Sequence, residues 1–324
     1  MSSDQEVSLD ELGRRAGGRG VSPRQRRREP PETAVPQSSL QPHDEGRRWR
    51  CLVTNDDGIG SEGLRVLAGV ALDAGFEVVV AAPMQECSGA SASITAVEED
   101  GHFVVEPRSL PGLEGACTVL AVGGLPAFIA LTAMRGAFGP APDVVLSGIN
   151  NGPNTGYAVL HSGTVGAALT ASTFGARAMA VSLNVRTRTV SGAGVDPSAL
   201  ASLCWDSAAE FARRTLPALL ESEPATVFNV NAPNLPLEEI KGFEQARLAR
   251  FGAVQTNVAE RGEGYVKLAL AELDAEYEPG TDAALIAAGY ATITPLQAVC
   301  EAAPAGLPEL AGLAGVAGRS STGG

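Results

Sequence analysis

The chain has 324 residues, of which 44% are hydrophobic and only 5% aromatic, so a large core can be filled with Ala, Val and Leu rather than rings. At ~150 residues per domain, this length suits one large domain or two smaller ones. The 24 Lys and Arg against 37 Asp and Glu leave a net charge of −13, which argues against a nucleic-acid-coating surface, because phosphate neutralisation needs clustered cations.

Residues 1–48 stand apart from the rest. Arg24, Arg26, Arg27 and Arg28 crowd the middle, and Pro30 and Pro31 follow closely. Low hydrophobicity, many charges and no helical or strand period are the signature of disorder. The segment's nine Arg nearly balance its eight acids, and no function is assigned to it.

From Trp49 strands and helices alternate. A short apolar run over 51–55 reads as a strand and ends in Asn55-Asp56-Asp57-Gly58. Ser61 is placed to cap a helix, with Glu62 in its first turn and Leu64, Leu67 and Ala71 on one face; Gly75 ends it. Residues 76–82 form a second strand, closed by Pro83. Residues 103–106 and 119–122 read as extended, and Pro126 opens a helix expected to reach about Phe138. A third strand over 143–146 leads into Ser147-Gly148-Ile149-Asn150, followed by a helix over about 164–174 and a strand over 178–183. A longer helix begins near Pro197, with Leu200, Leu203, Ala208 and Phe211 buried, and Pro217 is expected to end or kink it. Residues 227–230 read as a fifth strand. Beyond Gly242 the pattern loosens, with β-like pieces over 265–270 and 290–294.

This alternation predicts an α/β fold of βαβ units with a mostly parallel sheet. The expected division is a disordered extension over 1–48, a core over 49–241, a smaller irregular β-rich C-terminal part over 242–300 that is either an appendage or an oligomerisation arm, and a tail over 301–324. The five cysteines are odd in number and widely spaced, which predicts reduced, mostly buried thiols rather than a disulfide framework. No apolar run approaches ~20 residues, so no membrane span is expected. With no secretory h-region in sight, a cytoplasmic location is the expectation.

Three loops carry the chemistry, each after a candidate strand. The first holds Asp56 and Asp57, the second Ser88-Gly89-Ala90-Ser91, and the third Asn150, Asn154 and Ser162-Gly163-Thr164. In open α/β sheets such loops gather at the carboxyl edge, where ligands bind. Oxygen donors of this kind suit Mg2+ or Mn2+. His43, His102 and His161 have no metal-ligand spacing, so zinc fits poorly. A rival lies at the same turn: Gly58-Ile59-Gly60-Ser61-Glu62-Gly63 matches the dinucleotide fingerprint G-x-G-x-x-G, which would make the chain a dinucleotide-dependent oxidoreductase. Two facts oppose it. Asp56 and Asp57 would repel a pyrophosphate, and the second strand ends in Ala81-Ala82-Pro83 without an acid for the ribose.

The ordered motifs resemble the SurE-type survival-protein phosphatases, which act on nucleoside 5′- and 3′-monophosphates. They are Asn55-Asp56-Asp57-Gly58, Ser88-Gly89-Ala90-Ser91, Ser147-Gly148-Ile149-Asn150 running on to Gly152-Pro153-Asn154, Ser162-Gly163-Thr164-Val165, Asn229-Val230-Asn231-Ala232-Pro233, and Gly280-Thr281-Asp282 with Ile293-Thr294-Pro295-Leu296. The resemblance implies a Rossmann-like core and a C-terminal extension exchanged between subunits, giving a homodimer or homotetramer. It also implies one divalent cation per subunit, held by Asp56, Asp57, Ser88 and Asn150. Asp56 and Asp57 would be catalytic, while Asn154, Ser162 and Thr164 would contact the phosphate of a nucleoside monophosphate. Attack by water and attack by an aspartate both remain open. The chain departs from the family pattern at Gly124-Leu125-Pro126-Ala127-Phe128-Ile129, at Cys87 and at His161. The first departure also motivates a catalytically silent, nucleotide-binding relative as an alternative.

Overall fold

In a computed structural model, residues 47–185, 203–250, 254–262, 265–272 and 277–300 are described. The central strand is β1 (Arg50–Thr54), buried on both faces from Cys51 onward. It is followed by α1 (Glu62–Asp73), β2 (Glu77–Pro83), the short β3 (Glu98–Glu99), β4 (His102–Phe103) and β5 (Val105–Pro107), then β6 (Thr118–Val122) and α2 (Pro126–Met134). The second half runs β7 (Val144–Asn151), α3 (Gly163–Ser172), β8 (Arg177–Asn184), α4 (Trp205–Glu221) and β9 (Val227–Pro233). It ends with β10 (Phe243–Gln245), β11 (Val254–Gly262), β12 (Tyr265–Glu272), α5 (Asp282–Ala287) and β13 (Ala291–Leu296).

Nine strands form one sheet in the order β10-β13-β9-β8-β7-β1-β2-β6-β5. From β9 to β6 every pairing is parallel, whereas β13 on β9 and β5 on β6 are antiparallel. The six parallel strands thus have the doubly wound order, and the chain reverses direction across the sheet between β1 and β7. Strand alternation divides the core. Cys51 and Val53 face one layer with Leu64, Leu67, Ala208 and Phe211, and Leu52 faces the other with Ile129, Ala130, Val165 and Ala168. Both faces are therefore covered, as a parallel sheet requires.

The predicted α/β class with a mostly parallel sheet is observed, and several boundaries differ for local reasons. α2 stops at Met134 rather than about Phe138, because Gly136 takes a left-handed φ of +84° and ends the turn. Pro217 does not end α4, which continues to Glu221; Pro217 is exposed, so the carbonyl one turn earlier can turn to water. The expected start of that helix near Pro197 and the position of Leu200 lie outside the described residues. β7 is twice as long as expected and includes the whole Ser147–Asn150 run. The irregular stretch after Gly242 also divides: β10 and β13 extend the main sheet, and only β11 and β12 form a separate antiparallel hairpin. Of the five cysteines, all unpaired, only Cys51 is fully buried, and Cys300 is exposed. No helix among the described residues is long and apolar enough to cross a membrane.

α1 lies against β7 because position 63 is glycine: a Cβ there would stand 2.1 Å from the Ile149 carbonyl oxygen and 3.0 Å from the Trp205 ring. Gly63→Val should therefore force α1 off the sheet and cost about 1–3 kcal/mol or more. Urea denaturation measures this, and an unchanged midpoint would mean the helix does not sit this close.

Candidate functional site

The first loop is built by its own side chains. Asn55 is buried at the end of β1, and its Nδ2 donates to the Gly58 carbonyl at 3.0 Å and to Ser61 Oγ at 2.6 Å. Ser61 Oγ in turn accepts the Leu64 N–H at 3.3 Å, capping α1. Asn55 thus shapes the turn that projects the two acids. Gly58 completes it with φ +94°, in the left-handed region that favours glycine.

Asp56 is 3% exposed. A carboxylate so buried needs donors, and one comes from Thr164, whose hydroxyl donates to Asp56 Oδ1 at 2.6 Å. The N-terminus of α3 stands beside it. Ser162 caps this helix by accepting the Val165 N–H at 3.0 Å, and a Cβ on Gly163 would come within 2.9 Å of Asp56 Oδ2. The helix dipole favours negative charge there. Asp57 is only half-buried, and its Oδ2 accepts the Asn151 N–H at 3.1 Å. This bond joins the ends of β1 and β7 across the switch point of the sheet.

The second loop is drawn in from two sides. The Cys87 N–H donates to the Asp56 carbonyl at 2.8 Å, and Ser91 Oγ donates to the Leu160 carbonyl at 2.6 Å. α3 also approaches it closely, since a Cβ on Gly166 would stand 2.4 Å from the Ser91 oxygen. The Cys87 thiol is pushed up to about 12, first by burial and then by the charges of Asp56, Asp57 and Glu86, so this loop shares the field of the acid pair. Ser88 is exposed, and its hydroxyl donates to Glu86 Oε1 at 2.9 Å.

Asn150 lies within β7, not in the loop after it. It sits where the register with β8 slips between Ser147 and Asn150. Gly148, at φ +134°, permits the slip, because a Cβ there would stand 2.2 Å from the Val181 carbonyl oxygen. Asn150 Nδ2 donates to the Gly152 carbonyl at 2.7 Å, while its Oδ1 is buried without a hydrogen-bond partner. The loop then reaches Asn154, which is pinned from β8 and β9. Its Nδ2 donates to Ser182 Oγ at 2.9 Å and its N–H to Asn231 Oδ1 at 2.9 Å. Its carbonyl accepts from Asn229 Nδ2 at 2.8 Å and Asn231 Nδ2 at 2.9 Å.

Explicit bonds join Asp56 to Thr164, Asp57 to the residue after Asn150, and the Ser88 loop to the Asp56 backbone, whereas Asn154 is bonded to Ser182, Asn229 and Asn231, and the Ser88 hydroxyl to Glu86. Sequence reasoning missed the Asn151 amide and the anchoring by Asn229 and Asn231. Their motif was visible, but nothing in it says that the two amides grip a single residue of another loop. Glycines of the apparent dinucleotide fingerprint serve other ends: Gly63 seats α1 on β7, and a Cβ on Gly60 would meet only open space. In the 124–129 segment Phe128 lies edge-on to Phe103 at 5.0 Å, with Gly124 beneath its ring. His161 is exposed at the end of the 3-10 turn Gly156–His161.

Chemically, the donors at this edge are carboxylate, carboxamide and hydroxyl oxygens. Among the described residues no three His, Cys, Asp or Glu side chains gather as a metal cluster. Two carboxylates alone would be a sparse cage, and the unpartnered Asn150 Oδ1 is the kind of oxygen that completes one for a hard cation.

Residues 51–254 match the family model of the survival protein SurE. The chain is 36% identical over 259 residues to the 5′-nucleotidase SurE of Stenotrophomonas maltophilia, covering 76% of this chain and 89% of that one. It is 39% identical over 253 residues to the 5′-nucleotidase SurE of Pseudomonas putida, covering 76% and 92%. The 5′/3′-nucleotidase SurE of Photorhabdus laumondii is 34% identical over 254 residues, covering 76% and 89%. Among solved structures, the SurE protein from Aquifex aeolicus superposes with a TM-score of 0.60 at 30% identity, covering 76% of this chain and 93% of that one.

Thr164→Val keeps the shape of the side chain and removes the donor to a buried carboxylate. The expected loss of stability is about 1.5–3 kcal/mol by chemical denaturation at neutral pH. A loss below about 0.5 kcal/mol would mean that solvent, not Thr164, satisfies Asp56.

Proposed function

The chain belongs to the SurE family, and we propose that it hydrolyses nucleoside monophosphates to nucleoside and inorganic phosphate. It is a phosphomonoester hydrolase, as its 5′-nucleotidase relatives are named. The observation that carries the reading is the all-oxygen donor set at the switch point, above all Asn150 Oδ1, buried and without a partner. Leaving such an oxygen unsatisfied costs about 1–3 kcal/mol, a cost that a bound cation offsets.

Asp56, Asp57, Ser88 and Asn150 would hold one divalent cation per subunit, Mg2+ or Mn2+. When bound, the cation supplies Lewis acidity toward phosphoryl oxygens and lowers the pKa of water at the site. The remaining work falls to the chain. Thr164 and the first-turn amides of α3 stand beside Asp56, where a helix N-terminus favours the negative charge of a phosphate. Ser162 uses its oxygen as the helix cap and keeps its proton for donation. Asn154, fixed by Asn229 and Asn231, contributes to the substrate side through the same loop. Asp57, less buried than Asp56, accepts the proton of the attacking water.

The reading extends to assembly and location. The hairpin β11–β12 carries exposed Tyr265 and Val266, which supports a role in joining copies of the chain into a dimer or tetramer. Five unpaired cysteines accord with a reducing, cytoplasmic setting.

The test is phosphate release from a panel of nucleoside monophosphates with Mg2+ or Mn2+. Chelation should abolish activity and metal should restore it, while Asp57→Asn should lower kcat by about 100-fold or more. A wild type inactive with every metal, or an Asp57→Asn variant with full activity, would overturn the reading.

A further inference from the structure

The mechanism makes no use of Asp282, a carboxylate with 0% exposure. It lies at the start of α5, but it is not that helix's cap: Thr281 fills this role, accepting the Ala284 N–H at 3.4 Å. Asp282 reaches outward instead. Its Oδ2 accepts the Gly156 N–H at 2.8 Å, and its Oδ1 accepts the Ala249 N–H at 2.9 Å and the Ala283 N–H at 2.8 Å. Burial pushes its pKa up, and the amide donors from Ala249, Gly156 and Ala283 work against that push. A buried charge is costly unless hydrogen-bonded, so an ion held by peptide N–H groups from three segments is an anchor rather than a filler of space.

What it anchors is the segment between the two halves of the site. Gly156 opens the 3-10 turn, and its φ of +61° belongs to the left-handed region. The next amide, Tyr157 N–H, is held by the Ala249 carbonyl at 3.0 Å, and Ala249 is itself bound to Asp282. The turn then gives its Leu160 carbonyl to Ser91 of the second loop. It ends at Ser162, the cap of α3, and two residues later Thr164 donates to Asp56. One end of the segment is thus tied to Asp282 and the other touches the acid pair. The Asn151 N–H reaches Asp57 by a separate route, from the end of β7.

We propose that Asp282 is a positioning residue for the phosphate side of the site, fixing Ser162, Thr164 and the α3 N-terminus through the Gly156 and Tyr157 amides. The inference rests on the phosphomonoesterase reading given above. Asp282→Asn is nearly isosteric but sets an NH2 group against one of the peptide N–H donors, so the anchor is broken without a cavity.

Three readouts test it, at a temperature well below the melting point of each variant. Asp282→Asn should lower kcat about 10- to 100-fold, because small misplacements of a reacting constellation carry losses of that order. It should also weaken inhibition by inorganic phosphate. Thr281→Ala, which removes the α5 cap but not the anchor, should lower the melting temperature and keep the wild-type kcat. An Asp282→Asn kcat equal to that of the wild type overturns the inference, as does unchanged inhibition by inorganic phosphate or an equal kcat loss in Thr281→Ala. Should Asp282→Asn fail to fold, amide exchange in the wild type decides: Gly156 N–H should be protected about 100-fold or more over an open peptide, and an unprotected amide overturns the inference. A wild type that hydrolyses no nucleotide defeats the underlying reading, whereas an active wild type matched by Asp282→Asn defeats the inference alone.

Discussion

A carboxylate at the end of a central parallel strand has little room and little water, and Asp56 is in that position. There α3 brings a hydroxyl and a helix N-terminus to it. That approach depends on two glycines: Gly163 against Asp56 and Gly166 against the Ser91 backbone. Any side chain at either position would open the contact. The rest of the site is arranged around this seam, since the helix that satisfies Asp56 also presses on the second loop. The strand that supports the helix from beneath, β7, carries Asn150 and the amide that binds Asp57.

Given that seam, the polar groups of the site fall into two kinds. Asn55, Ser61 and Ser162 spend their hydrogen bonds on local turns and caps, and they would do so in an enzyme or in an inert fold. Asn150 Oδ1 is of the second kind: like Asn55 Oδ1 it is buried with no internal hydrogen-bond partner, and it lies on the strand whose next amide binds Asp57. Native structures rarely leave such an oxygen without purpose. Combined with two carboxylates, it makes an oxygen-only environment that favours a hard cation over zinc.

A second constraint comes from the far half of the sheet. Asn229 and Asn231 on β9 engage both backbone polar groups of Asn154, in the way one strand engages another. Asp282 holds one such group, the Gly156 N–H, with a carboxylate acceptor. The loop over 152–155, between β7 and the 3-10 turn, has no regular structure of its own, so its shape is imposed by residues that follow it in the chain. This gives the C-terminal segments, β13 and α5 included, a bearing on the site that their distance in sequence conceals.

The sequence by itself determined the alternation of strands and helices, the three loops and the identity of the acids. These are written in local patterns: apolar runs of strand length, Ser61 as a cap, glycines at turns. The ordered motifs, taken together, also gave the family. Only the tertiary structure decided that Asn150 sits in a slipped strand rather than a loop, that α4 passes through Pro217, and that β10 and β13 join the main sheet. It also decided the partners of the acids. Thr164 lies 108 residues from Asp56, Asn151 lies 94 from Asp57, and Gly156 lies 126 from Asp282. For the two backbone donors the physical reason is the same. Two of these donors are peptide N–H groups, which every residue but proline carries, so no side-chain identity marks which amide a buried carboxylate will meet.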